Sequence, residues 1–456
     1  MESEVDTIAN GRRLESVLVL AWPTVVTYFA FAARQFTDTW MVGQLGEEFL
    51  AALMPAQQVL YVLLGFAVGL MTALNTCGSH AARRFGPESC SAYAWQAIFI
   101  ALLVGALGAS LHFVAESIFR PLNHDYPVYL SEVTYFEISV WAFPAQVLAA
   151  ALANFFFAAR LPLLPMWGGI VHVVLNIILN YILMFGVPGL VAPMGIAGAA
   201  WGTVVASVVW AVLLLGMFFF HPALRVYRTW IPRISFRKGW DLLKIGLPNG
   251  FIDVADTLFW NVALIFFIGG FGTEHLAAAA IVYSVLMLIS VPGDGVGVAL
   301  TTLIGHHLAA GDEKEANRDL RSTLLLNLVF MGGAGVLCWH FGTEIFASFT
   351  NSGEAIGIGV KCMVLLPVIL AFDACLYAVD NALNGAGDAA WTLKATFLAN
   401  SLVILAGGWL MSHYFPDLGS YGIWLVIAAN RAVVALVLAL RWKSGGWRFN
   451  NPVTEE

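Results

Sequence analysis

Charge is scarce in this sequence. Only 11% of its 456 residues are Asp, Glu, Lys or Arg, while 60% are apolar, and soluble domains carry about 25% charged residues. That shortage excludes a soluble globular protein, and a mean hydropathy of +0.80 points to a polytopic membrane protein. Each span needs roughly 20 apolar residues, so the chain has room for about a dozen. Cysteine is equally sparse. Cys77, Cys90, Cys338, Cys362 and Cys375 are scattered and odd in number, which excludes a disulfide framework or a Cys–His metal site. No Walker loop, HExxH motif or nucleophile elbow occurs, so neither an ATP-driven pump nor a membrane hydrolase has an engine here. The net charge of −7 offers no basic surplus for nucleic acid. The apolar run after Arg12-Arg13 exceeds a signal-peptide core and lacks a small-x-small cleavage site, so it reads as a retained first span.

What is present is a series of twelve apolar runs, near 16–41, 50–80, 92–115, 130–158, 165–186, 197–220, 243–269, 276–308, 320–348, 356–384, 390–412 and 422–442. The longest is predicted to break at Val291-Pro292-Gly293-Asp294-Gly295, an interruption tolerated where a helix lines protein or a cavity. With this span count nearly all loop Lys and Arg fall on one side. Arg120 and Lys361 fall on the other, and Arg34 and Arg431 lie within spans. The positive-inside rule then puts both termini in the cytoplasm, as expected for a multi-pass protein of the cytoplasmic (inner) membrane.

The sequence also repeats itself. Leu20–Ala52 carries Pro23 and ends in Leu45-Gly46-x-Glu48-x-Leu50-Ala51-Ala52. Ile245–Ala278 carries Pro248 and ends in Phe271-Gly272-x-Glu274-x-Leu276-Ala277-Ala278. Gly69, Ala73, Thr76 and His80 return as Gly295, Ala299, Thr302 and His306, and Asn176 returns as Asn400. The expected fold is therefore an all-α polytopic membrane protein of twelve transmembrane helices. They form two parallel six-helix repeats related by a pseudo-two-fold along the membrane normal. Residues 1–13 form an N-terminal tail, 14–220 the N-lobe, 221–240 a basic linker, 241–442 the C-lobe and 443–456 a C-terminal tail. Substrate sites in such transporters sit near the midplane between the halves.

An ionised side chain at the bilayer centre costs on the order of 2.5–3.5 kcal/mol even on gentle scales, so intramembrane acids mark candidate function. Asp253 and Asp256 stand three apart on one face of the seventh span, roughly 12 and 17 Å along it from Ile245 at ~1.5 Å per residue. Asp373 and Asp380 share a face of the tenth, and Asp294 sits at the predicted break in the eighth. None of these spans supplies Lys or Arg to neutralise them. An ion- or proton-coupling group is one reading. The other is a buried polar core in which they bond to Asn261, Asn381 or Asn384. In the first half, Asp38 lies one turn from Arg34, a spacing that suits an ion pair closing or anchoring the outer end. Asn176 and Asn180 share a face of the fifth span. Glu137 reads as interfacial, and His80, His306 and His307 as helix-end residues.

Several stretches together resemble the MATE (multidrug and toxic compound extrusion) transporters over nearly the whole chain. They are FTDTWMVGQLGEEFLAAL (36–53), HVVLNIILNYILMFG (172–186), MGIAGAAWGT (194–203), VALTTLIGHHLAAGDEKEA (298–316) and FDACLYAVDNALNGAGDAAW (372–391). The resemblance implies that Asp38 is the family's first-span acid and Asp373 its tenth-span acid. Asp256, with Asp253 as a rival, stands near the seventh-span acid, usually Glu. Asn176 and Asn180 match the fifth-span pair. Asn180 replaces the Asp of the DinF-type branch, which places the chain closer to the NorM-type. Arg34 departs from the family pattern.

The expected function is a secondary antiporter, not an enzyme, exporting organic cations against inward Na⁺ or H⁺. It would use no cofactor beyond the coupling ion, and its partners would be the bilayer and cationic small molecules. A monomer already contains both halves. Burial in an apolar site favours the protonated carboxyl, and the same oxygens with Asn and backbone carbonyls suit Na⁺, so both ions stay open. Cation-coupling candidates are Asp38, Asp253, Asp256, Asp294, Asp373 and Asp380. Asn176, Asn180, Asn261 and Asn384 are the polar cavity candidates. A lipid-linked oligosaccharide flippase would need a cationic cavity, for which only Arg34 and Arg431 are available. A major-facilitator carrier would show an acidic/basic signature that SHAARRFGPES (79–89) lacks. A channel or membrane enzyme is the alternative from another class.

Overall fold

The computed structural model describes residues 2–122, 124–350, 352–450 and 452–453, with side chains from Val17 onward except Glu47 and Leu50. Met1, most of the C-terminal tail beyond Asn450, and the side chains of Arg12 and Arg13 lie outside the described residues. The described chain is helical, with no β-strand among the described residues. Among the described residues, twelve helices are long and apolar enough to cross a membrane. They are α1 (Val17–Gly43), α2 (Ala51–Arg84), α3 (Pro87–Leu122), α4 (Tyr126–Ala158), α5 (Leu163–Phe185) and α6 (Ile196–Phe220). The second set is α7 (Phe236–Phe271), α8 (Thr273–Ala309), α9 (Glu313–His340), α10 (Leu366–Gly385), α11 (Ala389–Tyr414) and α12 (Ser420–Ser444). The helix containing α1 already begins at Glu2, so the stretch expected as an N-terminal tail is helical.

Turn glycines carry the repeat into the backbone. Gly46 opens the helix Glu47–Arg84 that contains α2 at φ 142° and Gly272 opens α8 at φ 117°, and Gly195 and Gly419 open α6 and α12 at φ 58° and 55°. Side chains rarely tolerate positive φ, so the same turn in each half keeps the same residue.

Two predicted features differ. The break expected at residues 291–295 is absent, because Thr273–Ala309 is one continuous helix with Pro292 inside it. The glycines serve packing instead. A Cβ at Gly293 would overlap Met331 of α9, one at Gly295 would press on Val25 of α1, and one at Gly297 would overlap the Asn381 carboxamide of α10. Small residues let membrane helices approach closely, and Asn327 Nδ2 donates to the Gly293 carbonyl at 3.3 Å. The tenth span, expected over 356–384, instead divides into a helix Gly353–Met363 and α10, which starts at Leu366 with Pro367 in its first turn, where proline costs no hydrogen bond.

The described chain forms two compact units, one of residues 26–250 with Val453 and one of residues 2–25 with 251–452. The expected lobes 14–220 and 241–442 follow helix ends, whereas these divisions fall inside α1 and α7, two residues beyond Pro23 and Pro248. The first unit gathers α2 to α6 with most of α1. Its core includes Val42, Leu53, Phe119, Phe136, Val140 and Met184. The start of α7 belongs to it, as Gly246 and Gly250 lie against the Leu70 and Phe66 carbonyls of α2 and Asn249 Nδ2 donates to Thr72 Oγ1 at 2.9 Å. The basic linker is tied to the start of α3: Arg233 pairs with Glu88 at 2.5 Å, and Trp95 Nε1 donates to the Thr229 carbonyl at 3.1 Å. The second unit gathers α8 to α12 around Leu286, Met331, Leu366, Ile369, Leu370 and Trp424. The start of α1 packs there, through Val17 and Ala21 against Val296, Ala299 and Leu303. In this unit alone, among the described residues, α-helix gives way to π-helical turns, at Val262–Ile268, Leu328–Gly332 and Ser401–Ala406.

Candidate functional site

In the first unit the predicted residues converge. Asp38 is 5% exposed. Arg34, one turn earlier on α1, donates from Nη1 to Asp38 Oδ2 at 2.9 Å, and Asn180 of α5 donates from Nδ2 to Oδ1 at 2.7 Å. The chain of contacts continues inward: Asn180 Nδ2 lies 3.4 Å from Asn176 Oδ1, and Asn176 Nδ2 donates to Thr203 Oγ1 of α6 at 3.1 Å. Gly202 makes this possible, since a Cβ there would overlap the Asn180 carboxamide. Asn180 Oδ1 and Arg34 Nε are buried without a hydrogen-bond partner. Beside them lies a cavity of about 50 Å³ lined by Arg34, Asp38, Gln35, Gln57, Tyr61 and Gln146 among others. Tyr61 Oη bonds Gln35, which donates to Gln57 Oε1 at 3.1 Å. The sequence reading missed these glutamines and Thr203. Their signal, polar residues in apolar runs, is present but weaker than that of an acid.

The second unit's acids divide into two groups. Asp373 is 2% exposed, and its Oδ1 lies 3.4 Å from Arg431 Nε on α12. Arg431 Nη1 lies 3.5 Å from Asp256 Oδ1 on α7, and the guanidinium stands over the Trp260 ring at 4.8 Å. This corrects the expectation that the acids lack a neutralising base. It comes from α12, because the helices converge around residues far apart in sequence. An adjacent bond fixes the register of α12, as Asn430 Nδ2 donates to Asn400 Oδ1 at 2.9 Å.

Asp253, Asp294 and Asp380 stand outside the ion pairs of Arg431. The Asp253 residue is exposed and the other two are half-buried. Asp294 sits on an intact helix rather than at a break. Asn261 and Asn381 bond away from these acids. Asn261 Nδ2 bonds the Thr257 carbonyl of its own helix at 2.9 Å. Asn384 stands three turns past Asp373, ~16 Å along α10. Asn381, bonded to Thr301 Oγ1 at 3.0 Å, joins α10 to α8. His307 reaches Asp319 at 3.1 Å, and the five cysteines are free thiols.

Twelve apolar helices with paired buried carboxylates and amides define a membrane transporter, not an enzyme. The family is explicit in the sequence: the MatE family model matches residues 23–182 and 252–410, and the chain belongs to this family of multi-pass membrane transporters. It is 28% identical over 445 residues to a protein from Chromobacterium violaceum named probable multidrug resistance protein NorM, covering 96% of this chain and 94% of that one. It is 25% identical over 452 residues to the multidrug resistance protein NorM of Aliivibrio fischeri, covering 97% and 96%. Both relatives agree with the NorM-type assignment. Among solved structures, the eukaryotic MATE transporter AtDTX14 superposes with a TM-score of 0.84 at 20% identity, covering 96% of this chain and 97% of that one. A MOP superfamily transporter from Pyrococcus furiosus superposes with a TM-score of 0.85 at 18% identity, with the same coverage. These likenesses give the fold.

Proposed function

We propose that this chain is a multidrug efflux antiporter of the cytoplasmic membrane, exporting organic cations in exchange for inward Na⁺ or H⁺ and working as a monomer with both termini in the cytoplasm. The observation that carries the reading is the arrangement of Asp256 and Asp373 on separate helices around one cationic group, over the face of Trp260. Two carboxylates and an indole recognise a monovalent or organic cation. Competition between cargo and coupling ion for the same carboxylates gives exchange, provided that the protein alternates between states open to each side. The names of the NorM relatives support the cargo class, and the distribution of loop Lys and Arg supports the orientation.

Roles follow from position. Asp256 and Asp373 hold the exchanged cation, and Asp253, Asp294 and Asp380 supply the negative field that draws it in. Asp38 with Asn176 and Asn180 forms a second, more closed polar site. Asn384 contributes polar lining, whereas the Asn261 amide is taken up by the Thr257 carbonyl. The flippase alternative loses its footing, because Arg34 and Arg431 both already face carboxylates.

The test is uptake of a fluorescent organic cation into liposomes holding the purified protein, under imposed Na⁺ and pH gradients. Saturable uptake driven by one of the gradients is the expected result. Ion conductance without exchange, or uptake that ignores both gradients, refutes antiport.

A further inference from the structure

Arg431 is bonded unlike an ordinary structural arginine. Arg441 grips Asp388 through Nε at 2.7 Å and Nη2 at 3.3 Å and also donates to the Gly446 carbonyl at 3.1 Å. Arg34 meets Asp38 at 2.9 Å. Arg431 is more buried than either, its side chain 11% exposed, yet it reaches its two carboxylates only at 3.4 and 3.5 Å, and its Nε is buried without a hydrogen bond. Charge-assisted bonds normally close to about 2.7–2.9 Å. The group is thus shared between two acids on two helices and fully engaged by neither. The Trp260 face beneath it gives a guanidinium the same reception it would give an exogenous organic cation.

We propose that Arg431 is a tethered cation occupying the place between Asp256, Asp373 and Trp260, so that cargo binds by competing with a residue of the chain itself. The inference rests on the antiport reading and names the residue that sets its cation specificity. With both acids ionised, the three groups carry a net charge of minus one, which a single proton, Na⁺ or monocationic drug balances. Without Arg431 two like charges would face each other across the site, and a bound cation would take the place of the missing guanidinium. Asp256, at 39% exposure the accessible member of the trio, is where an incoming cation makes first contact. Asp373 and Arg431 are more buried, at 3% and 11% exposure. Displacing a loosely held guanidinium toward Asp373 opens the Asp256 carboxylate without leaving either charge unpaired, which a bidentate pair such as Arg441–Asp388 would not permit.

The experiment is equilibrium binding of tetraphenylphosphonium to the purified full-length protein, for wild type, Arg431→Gln, Arg431→Lys and the double variant Arg431→Gln with Asp256→Asn. Removing the tethered charge strengthens binding of the probe by about tenfold in Arg431→Gln. Lysine cannot span both carboxylates and the ring as the planar fork does, so Arg431→Lys shows a smaller gain. The double variant restores the net charge and returns toward wild type. Binding that is unchanged or weaker in a monodisperse Arg431→Gln protein overturns the proposal. Should that variant not fold, unchanged or weaker binding in Arg431→Lys overturns it equally. A wild-type protein that fails to bind the probe in competition with Na⁺ or H⁺ refutes the antiport reading itself. A wild type that binds it with no response to these substitutions refutes only the role of Arg431.

Discussion

The two halves share a backbone plan and solve the same electrostatic problem differently. In the first, one acid meets one base on the same helix: Asp38 is held by Arg34 at 2.9 Å and by Asn180 at 2.7 Å, and the bonds run on through Asn176 to Thr203. In the second, two of five acids meet one base, Arg431, at 3.5 and 3.4 Å. The first arrangement is compensated and closed. The second places more acids than bases around a loosely bound cation, and the proposed exchange draws on that property. The local backbone differs in the same sense. The π-helical turn Val262–Ile268 directly follows Trp260 and Asn261 on the helix that carries Asp256, and such turns recur at functional sites. The first half, among the described residues, has none.

This contrast can be broken by substitution. The largest effect is expected for Asp373→Asn, which removes the more buried of the two carboxylates proposed to hold the exchanged cation. Initial rates of drug efflux from cells should fall roughly tenfold or more at unchanged expression, the loss given by an interaction worth about 1.4 kcal/mol. Asp256→Asn should follow closely, since it leaves Arg431 with a single partner. Gly202→Ala comes next and acts on structure. Its Cβ would overlap the Asn180 carboxamide, and overpacking of this kind costs about 1–3 kcal/mol. It is read as a lower melting temperature of the purified protein together with weaker transport. Asp38→Asn should lower the rate by only about threefold, because Asp38 lies outside the proposed exchange site, while the loss of Arg34's carboxylate partner should also lower the melting temperature. At the small end, Glu313→Ala breaks the exposed pair between Glu313 and Arg448 (2.7 Å). Solvent and salt screen such pairs, so melting temperature and transport should both match wild type.

The frame of this molecule was readable because membrane spans are long apolar runs and because turn glycines and prolines repeat. Pro23 and Pro248 even mark where the two compact units divide. The Arg34–Asp38 pair was readable too, since residues one turn apart on a helix are neighbours. Arg431 was not, because its partners lie 175 and 58 positions away on other helices, and no periodicity reports contacts between helices. The expected break at Val291–Gly295 failed for a related reason. Pro and Gly signal interruption in isolation, whereas Gly293, Gly295 and Gly297 instead seat three neighbouring helices. Asn261 was drawn toward the acids by composition alone, while its amide turns back to the Thr257 carbonyl.

The central claim is that gradient coupling resides in the second half, at Asp256 and Asp373, rather than at Asp38. It is tested most directly by comparing Asp38→Asn and Asp373→Asn proteins in liposomes, with drug-cation uptake followed in the presence and absence of the driving Na⁺ or pH gradient. The account predicts that Asp38→Asn retains saturable, gradient-driven uptake while Asp373→Asn loses its response to the gradient. Full gradient-driven uptake in Asp373→Asn, with loss in Asp38→Asn, would contradict it.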